Sequence, residues 1–369
     1  MRAWAQGRAS DHDFESLATN LHAQQVANIA AFGAYCRSRG VAEAGWRRLP
    51  CVPVGAYKIA ELFASPPFAE ARLRFETSGT SDGRPGAIEL SDSALYDLSL
   101  RAGFHHFVVP DASLRLDDQP QPPEFRLLSL VPDERTRPHS SLGHMVRVVA
   151  DTWAAGEVTQ LLVPAASDPG GGEIWIDPLV EAASRPGPPV LLMATSLALD
   201  QLQQRWPREL RVQLPAGSRL MDTGGPKGRI LSVSRDEQHQ WLQEHLGLER
   251  ELIVGELGMT ELASQRYEGS VRAHFFGEVA PRERYLGPPW LRSVALAAQS
   301  LTPCGPGEEG MLAHVDLANV EPCAFVLTAD RGRVFPTALA DSVELLGRVP
   351  GSEWRGCGLD VEQLLSVGD

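Results

Sequence analysis

The stretch FETSGTSDGRPGAIEL, Phe75 to Leu90, decides how the rest of the chain is read. From Glu76 to Gly83 it holds almost no side chain able to fill a core. It offers backbone N–H groups that a ligand can approach closely, and a series of hydroxyl donors. That is the chemistry of a phosphate-cradling loop. The P-loop pattern is excluded, because no Gly-Lys-Ser/Thr follows at the required distance. Composition alone leaves a flexible surface linker as the alternative.

Working outward, short apolar runs alternate with helical periodicity. Residues 13–38 carry apolar side chains at a helical spacing, with Asp13 as cap and Gly40 as stop. The run at 49–63 reads as extended and proline-punctuated, and Arg72–Phe75 as a strand feeding the loop. Helices are expected from Ser91 to about Phe107, over 140–153 and 196–206, and over 234–248, where Ser234 and Glu237 form a capping box. Apolar runs at 125–132, 159–164 and 189–196, and the strand-then-turn segments 218–229 and 251–262, read as strands of a largely parallel sheet. Between two of them, DPGGGEIW (168–175) reads as a glycine turn. After about residue 266 the texture becomes proline- and glycine-rich, with β-like runs at 310–318, 323–330 and 342–349. The fold class expected is α/β, with largely parallel sheets flanked by helices and a C-terminal β-rich lobe. The boundaries expected are an α/β body over 1–265 and the lobe over 266–369.

The 369 residues suffice for a large core, and 43% hydrophobic with 22% charged residues is ordinary for a globular protein. A formal net charge of −13 argues against nucleic acid as a partner. No apolar run is long enough for a membrane span, and the N-terminal residues lack the apolar centre of a secretory signal. Five cysteines, scattered and never in a CxxC pair, fit neither a disulfide framework nor a structural zinc site. The location expected is cytoplasmic.

Three strand-to-turn elements carry polar residues: Thr77–Thr80, Thr223–Arg229 and Gly258–Glu261. In parallel α/β sheets ligands bind at the carboxyl ends of strands, where such turns gather. In GMTE, Thr260 can bond a phosphate and Glu261 can hold a hydrated Mg²⁺. His144, on a helix, reads either as a packing residue or as a site residue.

Taken in order, these pieces resemble the acyl-adenylate-forming superfamily of acyl-CoA synthetases, luciferases and adenylation domains. TSGTSDG (77–83) is similar to its phosphate loop and GMTE (258–261) to its GxTE motif. TADRG (328–332) and LLGR (345–348) resemble its ribose-binding segment and the arginine that follows. Within the superfamily the likeness is to the LuxE-type acyl-protein synthetases, carried by SSLGHM (140–145), TGGPKGR (223–229), GMTELASQRY (258–267), PPW (288–290), DLAN (316–319) and RGC (355–357).

The resemblance implies ATP and Mg²⁺ as cofactors and a carboxylic, in the LuxE type fatty, acid as substrate. It implies an adenylate-forming-enzyme-like N-terminal domain lacking the usual separate C-terminal domain. Thr77, Ser78, Gly79 and Thr80 would cradle the β,γ-phosphates. Thr223, Gly224 and Gly225 would line the adenine, beside Gly258 of the second motif. Thr260 would contact the α-phosphate and Glu261 the metal. Asp330 would hold the ribose hydroxyls, and Arg348 would reach the ribose or phosphates. His144 lies near the acyl site in the resemblance, and Cys357 matches the cysteine that accepts the acyl group. The partner would be an acyl-acceptor protein or a reductase subunit. Two rival readings deliver the acyl group to coenzyme A or a carrier without a covalent enzyme intermediate, or make the chain a catalytically silent binding subunit. Two departures stand out. Leu257 occupies the usual aromatic position, and Pro85 is followed by Gly86 and Ala87 rather than a lysine. Lys227 and Arg229 are the candidates for the missing charge.

Overall fold

The computed structural model describes residues 1–5, 13–39, 45–64, 73–77, 85–116, 124–154, 158–165, 168–224, 233–281, 283–337 and 340–348, with backbone only at 164–165 and 168–172. Contacts divide the chain into two compact units that each combine separated segments. One comprises Arg101–Gly258 and Tyr267–Arg282, the other Met1–Leu100, Met259–Arg266 and Glu283–Asp369. The sequence reading instead makes a single cut at residue 265, where the texture of the chain changes.

The Arg101–Gly258 unit is built on a parallel sheet of β1 (Arg126–Ser129), β2 (Val158–Gln160), β3 (Val190–Thr195), β4 (Arg219–Thr223) and β5 (Ile253–Leu257). Their spatial order is β5-β4-β3-β1-β2, and every pairing is parallel. Helices α1 (Ser141–Trp153), α2 (Asp177–Ser184), α3 (Ser196–Arg205) and α4 (Arg235–Leu246) make the crossovers. β3 reads VLLMAT and is buried on both faces along nearly its whole length, as helix-covered parallel strands are. The core joins Leu128, Leu192 and Leu220 of the strands to Leu199, Leu202, Leu242 and Leu246 of α3 and α4.

The helix starts follow from local chemistry. Ser234 accepts the Glu237 N–H while the Glu237 carboxylate accepts the Ser234 N–H, closing the expected capping box. Gly247, at φ +66°, ends α4 in the left-handed conformation. DPGGGEIW is a correction: Asp168–Ile174 is a strand, antiparallel to Leu162–Ala165. Its glycines read as a turn, but ladder pairing with the neighbouring run fixes them extended.

The other unit holds an antiparallel sheet of β6 (Arg284–Leu286), β7 (Leu291–Leu296), β8 (Glu309–Asp316), β9 (Phe325–Pro336) and β10 (Asp341–Arg348), in the order β7-β8-β9-β10-β6. Val52–Pro53 adds to β9 in parallel. The expected extended run at 49–63 is thus extended only there, since Val54–Lys58 winds into a 3₁₀ turn. The expected first helix is two, Phe14–Asn28 and Ala30–Arg39, because Ile29 leaves the helical region at φ −107°, ψ 100°. Gln25 of the first donates to the carbonyls of Asn319 and Pro322 at 2.8 Å and accepts from Ala324 N–H at 2.9 Å. The N-terminal helices are thereby tied to a segment almost 300 residues later.

A charged pair lies within this core. Arg266, 1% exposed, meets Asp341 at 2.6 Å and donates to Ser293 Oγ at 2.7 Å. Ser293 Oγ is 2.7 Å from His314 Nδ1, and its N–H donates to Asp341 at 2.9 Å. Burial, with Arg266 close by, pushes His314 down to about 3, so it is neutral and adds no charge. No helix among the described residues is long and apolar enough to cross a membrane.

Breaking the pair from one side leaves a buried charge without its counterion. Asp341→Ala is expected to cost about 3–5 kcal/mol in urea unfolding, whereas the double replacement Arg266→Met/Asp341→Leu stays within about 2 kcal/mol of the parent. A single-variant cost near zero would show that the pair is not structural.

Candidate active site

At the carboxyl ends of β3, β4 and β5 the register places polar residues side by side. Thr195, Thr223 and Glu256 form one cross-strand row, and Ala194, Asp222 and Gly255 the row on the opposite face. Thr195 caps α3 by accepting the Ala198 N–H at 3.2 Å. Thr223, a sequence-predicted site residue, donates its hydroxyl to the Glu256 carboxylate, which is 5% exposed. Gly224 follows at φ +81°, and a Cβ there would meet nothing within 4 Å. The backbone there adopts a conformation that favours glycine, and among the described residues nothing crowds it.

On the opposite face, Asp222 is 7% exposed, with one oxygen 3.6 Å from Arg235 Nη2. Arg235 forks onto Glu268 with two bonds of 2.7 Å, and Glu268 also accepts the Gly255 N–H at 2.9 Å. A Cβ on Gly255 would lie 2.4 Å from that guanidinium, so glycine makes room for the fork. Asp222, Glu256, Ser196, Arg235 and Glu268 all escape the motif reading. The available signal was a single carboxylate inside each of two buried strands, LMDT and IVGEL, where unpaired charge is costly.

In the other unit the root of the opening loop is described on both sides. The strands Leu73–Glu76 and Ala87–Leu90 form a hairpin, and Thr77 closes its neck. Thr77 N–H donates to Gly86 O at 2.8 Å, and its Oγ1 accepts the Gly86 N–H at 2.9 Å. The hydroxyl proton of Thr77 is left for another acceptor. Thr260 donates to the carbonyl of Glu76 at 3.5 Å, so the fold brings the GMTE turn to the root of the loop across 184 residues.

The turn is held from behind by DLAN. Asn319 accepts the Ala263 N–H at 2.9 Å and donates to Glu261 O at 2.7 Å and Cys323 O at 3.2 Å. Asp316 accepts from the N–H and hydroxyl of Ser264, both at 2.8 Å. Burial pushes the Asp316 carboxyl up to about 6 against those donors. Glu261 is 4% exposed, while Gly258 is exposed.

Asp330 and Arg348 are cross-strand partners of β9 and β10, with Arg348 Nε donating to Asp330 Oδ1 at 3.2 Å. Both sit toward solvent. The two residues that the resemblance puts at the ribose are thus adjacent. His144, by contrast, is 1% exposed on α1. Its Nδ1 is 3.1 Å from Arg147 Nη2, which can only donate, and 3.3 Å from Glu134. This histidine is part of a helix-anchored polar cluster. Ser78, Gly79, Thr80, Gly225 and Cys357 lie outside the described residues, as do Lys227 and Arg229.

Among the described residues no three His, Cys, Asp or Glu side chains gather to hold a metal. A divalent ion here would have to be of the kind that takes one carboxylate, such as Glu261, together with substrate phosphates and water, a donor set that suits Mg²⁺. The four described thiols are poor nucleophiles. Burial pushes Cys36 and Cys51 up to about 12 and Cys323 higher, and Cys304 is raised by burial and by Glu308.

No protein-family model and no curated protein matches the chain. Among solved structures it is similar to ATP-bound MatB from Rhodopseudomonas palustris, at 16% identity over 78% of this chain and 50% of that one, with a TM-score of 0.48. It is also similar to the luciferase-like enzyme of the Zophobas morio mealworm, at 15% identity, 82% and 62% coverage and a TM-score of 0.47. A third is the O-succinylbenzoate coenzyme A synthetase MenE from Bacillus subtilis in complex with ATP and magnesium ion, at 15% identity, 78% and 53% coverage and a TM-score of 0.46. The chain spans about half the length of MatB.

Asn319→Ala removes two bonds that fix the GMTE turn and a third to Cys323 O, and leaves buried backbone groups unpaired. It is expected to cost about 2–4 kcal/mol in thermal unfolding. A loss under about 0.5 kcal/mol would mean that the strap is dispensable.

Proposed function

We propose that this protein is an ATP-dependent ligase that activates a carboxylic acid as its acyl-adenylate and passes the acyl group to a thiol. The observation that carries the reading is the bond from Thr260 to the backbone of Glu76. It brings the GMTE turn to the strand residue that leads into the hydroxyl-rich loop. The adjacent pair Asp330 and Arg348 supports it further.

A carboxylate is a poor acyl donor until one of its oxygens belongs to a good leaving group. Attack of that oxygen on the α-phosphorus of ATP forms the mixed anhydride and releases pyrophosphate. The protein's part in such a step is positioning and charge neutralisation. Thr77 would offer its hydroxyl, and the Ser78, Gly79 and Thr80 of the resemblance their hydroxyls and N–H groups, to the β,γ-phosphates, while Thr260 would have to turn its hydroxyl from the Glu76 carbonyl to reach the α-phosphate. Glu261 would hold Mg²⁺, which when bound neutralises phosphate charge. By the resemblance, Thr223, Gly224, Gly225 and Gly258 would present backbone to the base. The Asp330 carboxylate accepts from ribose hydroxyls, and Arg348 lies beside it as a cation. His144, buried among Arg147 and Glu134, supports α1 in this scheme. Cys36, Cys51 and Cys323 are buried and their thiols pushed up, and the resemblance assigns the acyl-accepting thiol to Cys357 of the RGC segment. That assignment is what makes the LuxE-type reading, with a fatty acid donor and a protein or reductase-subunit acceptor, the preferred one.

Carboxylate-dependent exchange of pyrophosphate into ATP tests the first step, with acids from short to long chain. Exchange is expected with at least one of them, and no exchange with any sinks the enzyme reading. Asp330→Ala is expected to raise KM for ATP roughly tenfold, the worth of a bond to a charged group. Cys357→Ala is expected to keep exchange but lose acyl label through denaturation. Retained label would move the acceptor elsewhere.

A further inference from the structure

The Ser196 hydroxyl, at the start of α3, has one proton and several oxygen neighbours. Gly224 O lies at 2.5 Å, Asp222 Oδ2 at 3.3 Å and Thr223 O at 3.5 Å. Two oxygens at 2.5 Å repel unless a proton lies between them, so the Ser196 proton points at the Gly224 carbonyl. The lone pairs of Ser196 are then what Asp222 meets. A carboxylate there would oppose acceptor to acceptor, whereas a carboxyl group donates.

The surroundings of Asp222 favour the neutral form. Its other oxygen makes no hydrogen bond and sees Arg235 only at 3.6 Å. Arg235, from α4, spends its fork on Glu268, from the segment after β5. Burial pushes Asp222 above the ordinary carboxylate range and Glu268 adds to it, while Arg235, the Ser196 contact and the backbone oppose it. His239 of α4 is pushed down to about 4 by burial and Arg235, so it carries no charge near neutrality. Asp200, one turn on in α3, accepts from Gln204 at 2.8 Å.

We propose that Asp222 and Ser196 are positioning residues for the nucleotide turn. A protonated Asp222 donates to Ser196, which donates to Gly224 O and fixes the φ +81° turn of the TGG segment. The role in nucleotide binding rests on the reading of Gly224 given above; the proton relay itself does not. The relay makes the turn pH-dependent. A folded-state carboxyl that keeps its proton above the pH at which an unfolded aspartate loses it stabilises fully below about pH 4, and that contribution is lost as pH rises through the raised value. Asn at 222 imitates the protonated acid permanently, its amide donating to Ser196 and its oxygen facing Arg235.

The test combines ATP binding by calorimetry with ligand-free thermal unfolding, across pH 4 to 9, for the parent, Asp222→Asn, Asp222→Ala and Ser196→Ala. The parent's ATP affinity is expected to fall as pH rises, and that of Asp222→Asn to stay level. Asp222→Ala and Ser196→Ala are expected to bind about 3- to 10-fold more weakly than the parent at low pH, the worth of one hydrogen bond. Without ligand, the Tm of Asp222→Asn minus that of the parent is expected to grow with pH. A constant difference, or Asp222→Asn binding as weakly as Asp222→Ala at every pH, overturns the relay. Should no variant bind ATP, the nucleotide role of Gly224 falls and the ligand-free Tm series decides the relay alone.

Discussion

The GMTE turn holds its shape because Asp316 and Asn319 bind its backbone from beneath. Residues 261–264 have no regular secondary structure of their own, and a buried irregular segment must find partners for its N–H and C=O groups elsewhere. DLAN supplies them through a carboxylate and an amide, both wholly buried. The same Asn319 carbonyl is gripped by Gln25 from the N-terminal helix. The turn that carries Thr260 and Glu261 is therefore fixed by contacts at sequence separations of more than 50 residues, with a further layer from the N-terminal helix. Rigid support of this kind suits a step in which the protein mainly positions charge.

The parallel sheet solves a different problem. Its strands are apolar because helices cover them, yet β4 and β5 each carry a carboxylate at the carboxyl end. Glu256 is compensated by the Thr223 hydroxyl, whereas Asp222 lies 3.3 Å from the Ser196 hydroxyl with Arg235 at 3.6 Å engaged by Glu268. Polar groups are tolerated at that rim since the strands end there and backbone turns out toward solvent, as Gly224 does. The buried pair Arg266 and Asp341 in the other unit follows the same rule with full desolvation of both partners.

Sequence periodicity located most strands and helices to within a few residues, and the capping box at Ser234 is visible in four letters. Its failures have local causes. The glycines of 168–175 look like a turn in isolation and become a strand only through their ladder partner. The break at Ile29 interrupts a periodicity that itself continues through it. The extended run at 49–63 hides a 3₁₀ turn, because proline spacing fits both.

Taken alone, the sequence determined the class of fold, the order of the motifs and the residue types they offer, since those depend on composition and local spacing. The resemblance nominated Thr260, Asp330 and Arg348 for one ligand but gave no bond between particular residues. Only the tertiary structure decided that Thr260 reaches the root of the loop begun at Thr77, that Asp330 faces Arg348, and that His144 is spent on Arg147 and Glu134. It also brought forward Asp222, Ser196 and Glu256, whose significance lies in register and burial. A carboxylate's surroundings, and hence its protonation, are set by residues that the chain folds against it from far away, and no local pattern encodes them.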